Sequence, residues 1–239
     1  MKYLYGPVKS RRLGFSLGLS LTPYKICNFD CIYCQLGKTN CLTEARKEYV
    51  KIEEVINELK SWLNNNNQEA KNLNYITISG SGEPTLNTKI GELILEIKKI
   101  TAIPVAVITN ASLLNDKEVR LNLLSANLIL PSLDTVIPEI FNKIDRPYQR
   151  VSIGEIINGL ANLRGEFGGK IWLEVMLLRG VNDDLAAIRK LKEAIDRIKP
   201  DKIQLNSPVR SRSQENIFPA DNKKLEKIKD ILGDKCEII

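Results

Sequence analysis

Apolar residues recur at helical spacing in six stretches of the chain: 50–63 (VKIEEVINELKSWL), 89–100, 116–125, 152–164, 184–198 and 221–232. Short apolar runs rich in β-branched residues alternate with them: 16–21 (SLGLSL), 75–80 (YITISG), 105–110 (VAVITN), 127–134 (NLILPSLD), 171–178 (IWLEVMLL) and 202–207 (KIQLNS). Their length and composition predict strands. The asparagine run at 64–67 predicts a helix end and a loop. Strand followed by helix, six times over, predicts a parallel sheet.

Side chains alternate faces along a strand, so each run can be split in two. Leu17, Leu19 and Leu21 oppose Ser16, Gly18 and Ser20. Leu173, Val175 and Leu177 oppose Trp172, Glu174 and Met176, and Ile203 and Leu205 oppose Lys202, Gln204 and Asn206. Asn110 shares a face with Ala106 and Ile108, and Ser132 and Asp134 extend the face of Leu128 and Leu130. One face of these strands is apolar and suits a cover of helices. The other gathers polar groups toward the C-terminal strand ends, where a (β/α) barrel places its active site. Six units rather than eight predict an α/β fold of the partial (β/α)6, TIM-like barrel class. A single domain over 1–239 is expected, with a core at about 14–210 and the helix at 221–232 closing the barrel.

Composition narrows the class. The net charge of +6 permits an anionic partner without requiring one. No run approaches the roughly 18 apolar residues of a membrane span, and the N-terminus lacks a signal-peptide pattern, so a cytoplasmic protein is expected. No GxGxxG opens the first helix, which argues against a dinucleotide-binding sheet. No aromatic pattern of an RNA-binding module is present. There is no histidine, so acid–base work falls to Glu, Asp, Lys, Tyr or Cys.

Three of the five cysteines, Cys27, Cys31 and Cys34, lie in CNFDCIYC directly after the first predicted strand. Structural zinc sites are closed by four Cys or His ligands, and iron–sulfur clusters normally take four thiolates. Cys41 is a possible fourth ligand only if the chain folds back. Three thiolates on a four-iron cluster leave one iron open to a small molecule. Cys41 and Cys236 are too few for a second cubane cluster. Cys41 reads as an inert loop thiol. Cys236 reads as an apolar plug at the barrel bottom, with a hydrogen donor as the alternative.

The C-x3-C-x2-C spacing, with Tyr33 just before the third cysteine, resembles the signature of the radical S-adenosylmethionine superfamily. The resemblance implies a [4Fe–4S] cluster on Cys27, Cys31 and Cys34, with S-adenosylmethionine on the fourth iron. It implies one-electron cleavage to methionine and a 5′-deoxyadenosyl radical, and Tyr33 against the adenine. Other segments agree. Gly80-Ser81-Gly82-Glu83-Pro84 resembles the glycine-rich turn that holds the methionine amino group, with Ser81 in place of a glycine. Thr109-Asn110-Ala111 resembles a Thr-Asn-Gly segment. Ser132 and Asp134 match a Ser-x-Asp segment near the ribose or methionine, and Asn206 lies in the segment that approaches the adenine.

A narrower likeness, carried by YGPVKSRRLGFSLGLSLTP, GSGEPTL, WLEVMLLRGVND and IQLNSPVR, is to small single-cluster members related to the wyosine-forming tRNA enzyme. It implies a nucleoside or tRNA substrate and a reducing partner such as ferredoxin or flavodoxin. A glycyl-radical-enzyme activase is the alternative, although Gln35-Leu36 stands where those often carry Asn-Pro. An iron–sulfur electron carrier or a metal-binding scaffold is the non-enzyme alternative. On the substrate side, Glu174 is a tentative catalytic residue, with pairing to a nearby Lys or Arg as the ordinary role. Arg179, Arg210 and Arg212, and Lys9, Arg11 and Arg12, are candidates for meeting an anion. Trp172 and Met176 are expected to fill the barrel.

Overall fold

The six alternating runs form six neighbouring parallel strands in the computed structural model, which describes residues 1–208 and 216–239. The chain opens with β1 (Leu4–Ser10) and β2 (Gly14–Ser20), then a two-residue ribbon of β3 (Ile26–Cys27) and β4 (Cys41–Leu42). Helices α1 (Ile52–Asn65) and α2 (Asn67–Ala70) lead to β5 (Tyr75–Ser79), α3 (Ile90–Ile100), β6 (Val105–Thr109), α4 (Lys117–Leu123) and β7 (Leu128–Pro131). Then come α5 (Pro138–Ile144), α6 (Ile153–Glu166), β8 (Lys170–Met176), α7 (Leu185–Ile198), β9 (Lys202–Asn206), α8 (Asn222–Leu232) and β10 (Cys236–Ile238). The large sheet runs β1-β2-β5-β6-β7-β8-β9-β10. It is a mostly parallel sheet of the partial-barrel class.

The helix-facing sides of the strands bury Leu17, Leu19, Leu21, Ile76, Ile78, Val105, Val107, Leu173, Val175 and Leu205 completely. Helix starts are fixed by side chains that accept free N–H groups: Asp116 on α4, Ser152 on α6, Asp184 on α7 and Asp221 on α8. The inner side holds a second, smaller apolar cluster of Leu13, Ala106, Leu128 and Leu130 with Tyr75, Ile108 and Trp172. Trp172 meets Tyr75 edge to face at 6.3 Å and lies under the Lys202 ammonium at 4.4 Å.

The sheet extends beyond the predicted six strands at both edges. β1 pairs antiparallel with β2, and β10 pairs parallel with β9. Gly6-Pro7 in mid-segment reads as a breaker, but β1 is an edge strand with an irregular register between Tyr5 and Val8, so the missing N–H costs no ladder bond. Pro131 ends β7 earlier than the pattern predicts, though Ser132 still bridges Glu174. The asparagine run divides α1 from α2 rather than opening a loop. α8 packs on α7 and on β9 and β10 in the outer layer. Leu13, at the tip of the β1–β2 turn, joins the inner cluster at the barrel floor. No helix among the described residues is long and apolar enough to cross a membrane.

Candidate active site

The cysteine segment begins on β3 and is clamped from three sides. Ile26 accepts the Glu83 N–H at 3.2 Å, and a side chain at Gly82 would come within 1.7 Å of the same Ile26 oxygen. The glycine turn therefore lies flush against the strand that delivers Cys27. The N–H groups of Asp30 and Ile32 donate to Asp145 and Ile144 at the end of α5, at 3.0 and 2.9 Å. Lys25 is buried, and its ammonium donates to the Gly37 carbonyl at 2.6 Å, holding the return of the loop.

Cys27, Cys31 and Cys34 are half-buried. Burial pushes the Cys27 thiol up to about 12, with the Glu83 charge adding to it. Burial and the neighbouring Asp145 push Cys31 well above the ordinary thiol range. The charge states of the three sulfurs bear on one another. Yet no set of three or more His, Cys, Asp or Glu side chains among the described residues is gathered closely enough to hold a single metal ion.

The remaining thiols stand apart. Cys41 pairs with Ile26 across the β3–β4 ribbon, and Leu42 pairs with Cys27. Cys41 therefore projects from the opposite face to Cys27, and it is exposed. Cys236, on β10, pairs with Ile203 of β9 and is buried in the helix-facing core rather than inside the barrel.

A chain of buried polar contacts links the site segments. Glu83 accepts from Thr85 N at 3.1 Å, Thr85 Oγ1 at 2.6 Å, Thr109 Oγ1 at 2.7 Å and Asn110 N at 2.8 Å. It thus ties the end of β5 to the end of β6; burial raises its carboxyl while these donors pull it down. Asn110 donates to Asn28 Oδ1 at 2.7 Å and approaches Cys27 Sγ at 3.7 Å. Ala111 adopts φ 64°, the left-handed conformation a glycine tolerates best. Gly80, at φ 101°, brings the Ser81 N–H to Ser20 Oγ at 3.2 Å.

Across the cleft, Tyr33 donates its hydroxyl to Asp134 at 2.5 Å and also lies 3.3 Å from Asp145. Asp134 further accepts the Met176 N–H at 2.8 Å. Burial lifts both carboxyls, Asp134 well above its usual range with help from the Asp145 charge, and Asp145 to about 7. Cys31 donates to Asp145 at 3.3 Å. A small pocket of about 10 Å³ is lined by Phe29, Tyr33, Asn110, Ser132, Asp134 and Asp145 together with the apolar Leu133, Phe141, Ile153 and Ile156. The structure thus gathers the three cysteines, Tyr33, the glycine turn, Asn110, Ser132 and Asp134.

Glu174, on β8, and Asn206, at the end of β9, form a second group. Glu174 accepts from Arg12 at 2.6 Å and from Asn206 at 2.6 Å, and Arg11 donates to Asn206 at 2.9 Å. Arg179 stays outside both groups and donates to the Pro219 carbonyl at 3.1 Å. Arg210 and Arg212 lie outside the described residues.

Sequence reasoning missed Asp145, Asn28 and Asn182. Asp145 is the residue that ends α5, where a single acid carries no repeating pattern. Asn28, fully buried inside the cysteine motif, was legible only as spacing. Asn182 bonds the Asp134 and Met176 carbonyls at 2.9 and 2.8 Å and receives the Leu178 N–H at 2.8 Å, shaping the turn after β8.

With this geometry in place, the comparisons with known proteins agree. The family model described as the radical SAM superfamily matches residues 21–196, and the chain belongs to that superfamily. Within it, the chain is 34% identical over its whole length to a UPF0026 protein of Methanocaldococcus jannaschii, covering 73% of that relative. It is 42% identical over 237 residues to a Brachyspira hyodysenteriae protein named GTPase Obg, but spans only 34% of that protein's length. A solved radical SAM methyltransferase from Sphaerobacter thermophilus superposes with TM-score 0.72 at 16% identity, covering 94% of this chain and 65% of that one, and shows the shared fold. The chain is an iron–sulfur enzyme of a superfamily whose members use a [4Fe–4S] cluster and S-adenosylmethionine.

Proposed function

We propose that this enzyme cleaves S-adenosylmethionine reductively and abstracts hydrogen from a nucleoside or tRNA-type substrate. Cys27, Cys31 and Cys34 would hold the cluster, and S-adenosylmethionine would lie in the cleft above the strand ends. When bound, the cluster supplies the one electron that splits the sulfonium into methionine and a 5′-deoxyadenosyl radical.

The chain's own residues orient and enclose. Tyr33 is fixed by Asp134 and Asp145 and offers its ring to the adenine. The turn Gly80-Ser81-Gly82-Glu83-Pro84 presents close backbone to the methionine, with Glu83 setting its shape. Asn110, Ser132 and Asp134 face the ribose and methionine from the cleft wall. Asn206 acts through Glu174. Ferredoxin or flavodoxin is the fitting class of electron donor.

One observation carries this proposal: the β3–β4 register turns Cys41 away from Cys27 and leaves three thiols, not four, at the loop. The test is anaerobic reconstitution of the wild type and of Cys34→Ser and Cys41→Ser. Wild type and Cys41→Ser are expected to bind four irons per chain, to change their reduced-state electron paramagnetic resonance spectrum on adding S-adenosylmethionine, and to release 5′-deoxyadenosine. Cys34→Ser is expected to lose the cluster. Loss of iron in Cys41→Ser, or a spectrum indifferent to S-adenosylmethionine, would leave an electron carrier as the better account.

A further inference from the structure

Arg12 belongs to the turn at the tip of the β1–β2 hairpin, beside the Leu13 that forms the barrel floor. Its guanidinium pairs with Glu174 through Nη1 at 2.6 Å. The two partners differ in access: the Glu174 side chain is 5% exposed, whereas Arg12 keeps 31%. The pair thus seals its acid and leaves part of the guanidinium open. Glu174 bridges Ser132, and Ser132 lines the pocket at Tyr33, so the ion pair stands beside that pocket.

A guanidinium carries five N–H donors in a rigid fork. Glu174 takes one from Nη1; among the described residues nothing accepts from Nε or Nη2. The other neighbours do not neutralise it. The second Glu174 oxygen is held by Asn206, and the other side of Asn206 receives Arg11. Lys202 is paired with Glu237 at 3.1 Å. Arg11, Arg12 and Glu174 thus bring two positive charges against one negative, and the second arm of Arg11 donates to the Ile239 oxygen at 3.0 Å. A bond that only closed the barrel would not need an open guanidinium edge.

We propose that Arg12 is a substrate-binding residue: its unused edge receives a two-oxygen anionic group, carboxylate or phosphoryl, at the end of the substrate remote from the reacting C–H. Glu174 and Asn206 are positioning residues that hold the fork in place. Glu174 thus acts through Arg12, and the substrate stands between the barrel floor and the cleft at Tyr33. This deepens the radical-chemistry proposal and rests on it for the identity of the chamber.

The test uses the full chain as isolated and two probes that separate the sources of the anion: fluoroacetate followed by 19F line broadening, and inorganic phosphate followed by 31P line broadening. Wild type is expected to broaden at least one probe saturably. The double variant Arg12→Gln/Glu174→Gln, which leaves no buried charge unpaired, is expected to weaken that binding tenfold or more, and Arg189→Gln on the exposed face of α7 to leave it unchanged. Arg12→Lys keeps the ion pair and the charge but loses the fork. It is expected to bind several-fold more weakly, and it decides the matter if the double variant fails to fold. No saturable binding in wild type, or wild-type affinity in either Arg12 variant, overturns the proposal. Neither result depends on the cluster, so a wild type that binds the anion yet ignores S-adenosylmethionine would sink only the radical-chemistry proposal.

Discussion

At the scale of the residue, burial decides the character of each thiol. Cys236 lies in the helix-facing core, and desolvation lifts it from a usual 9.0 to about 12. A thiol whose pKa is raised by folding contributes stability that is complete below its unfolded value and is lost as pH rises through the folded one. Between pH 8 and 10.5 the urea midpoint should therefore fall in the wild type and fall less in Cys236→Val. The exposed Cys41 should react with iodoacetamide in the native metal-free protein, and Cys236 only after unfolding. Ala111 gives a second prediction. Its φ of 64° costs an L-residue about 1–2 kcal/mol, partly offset by the extra chain entropy of glycine, so Ala111→Gly should raise stability by up to about 1 kcal/mol. A lower urea midpoint in that variant would show that the methyl packing outweighs the strain.

At the scale of the element, the six strand–helix units were legible because short β-branched runs alternate with stretches of helical period, even where both strand faces are apolar, as in β6 and β7. The segments that escaped notice are short or broken: α5 spans seven residues, β10 three, and β1 carries Gly6-Pro7. The Asp145 contacts went with α5, because a one-residue acid at a helix end has no pattern to announce it. The glycine turn was read as a ligand-facing feature. It also bears on the neighbouring strand, since Gly82 touches Ile26. Gly82→Ala should accordingly lower iron content on reconstitution by displacing Cys27, before any effect on substrate is measured. Asn182→Ala should destabilise by about 2–4 kcal/mol in urea denaturation, because it strands a buried N–H and two carbonyls.

At the scale of the whole molecule, the sequence conveyed an incomplete barrel but not how its open side is sealed. The sheet never joins β1 to β10. Side chains bridge the gap instead: Arg12 to Glu174, Arg11 to Asn206 and to the Ile239 carbonyl, and Gln204 to the Arg12 carbonyl at 3.1 Å. None of this shows in hydrophobic periodicity, because the partners lie 162 to 228 residues apart. β1 itself is held by a ladder on one side only. Amide exchange should thus be faster across 4–10 than across 14–20. Because the seam is made of guanidinium contacts rather than paired backbone, β1 and the turn that carries Arg11 and Arg12 should open before the six parallel strands separate. The reaction vessel then drains through its base well before it breaks, so gentle warming should erase selectivity for the substrate earlier than it erases the iron.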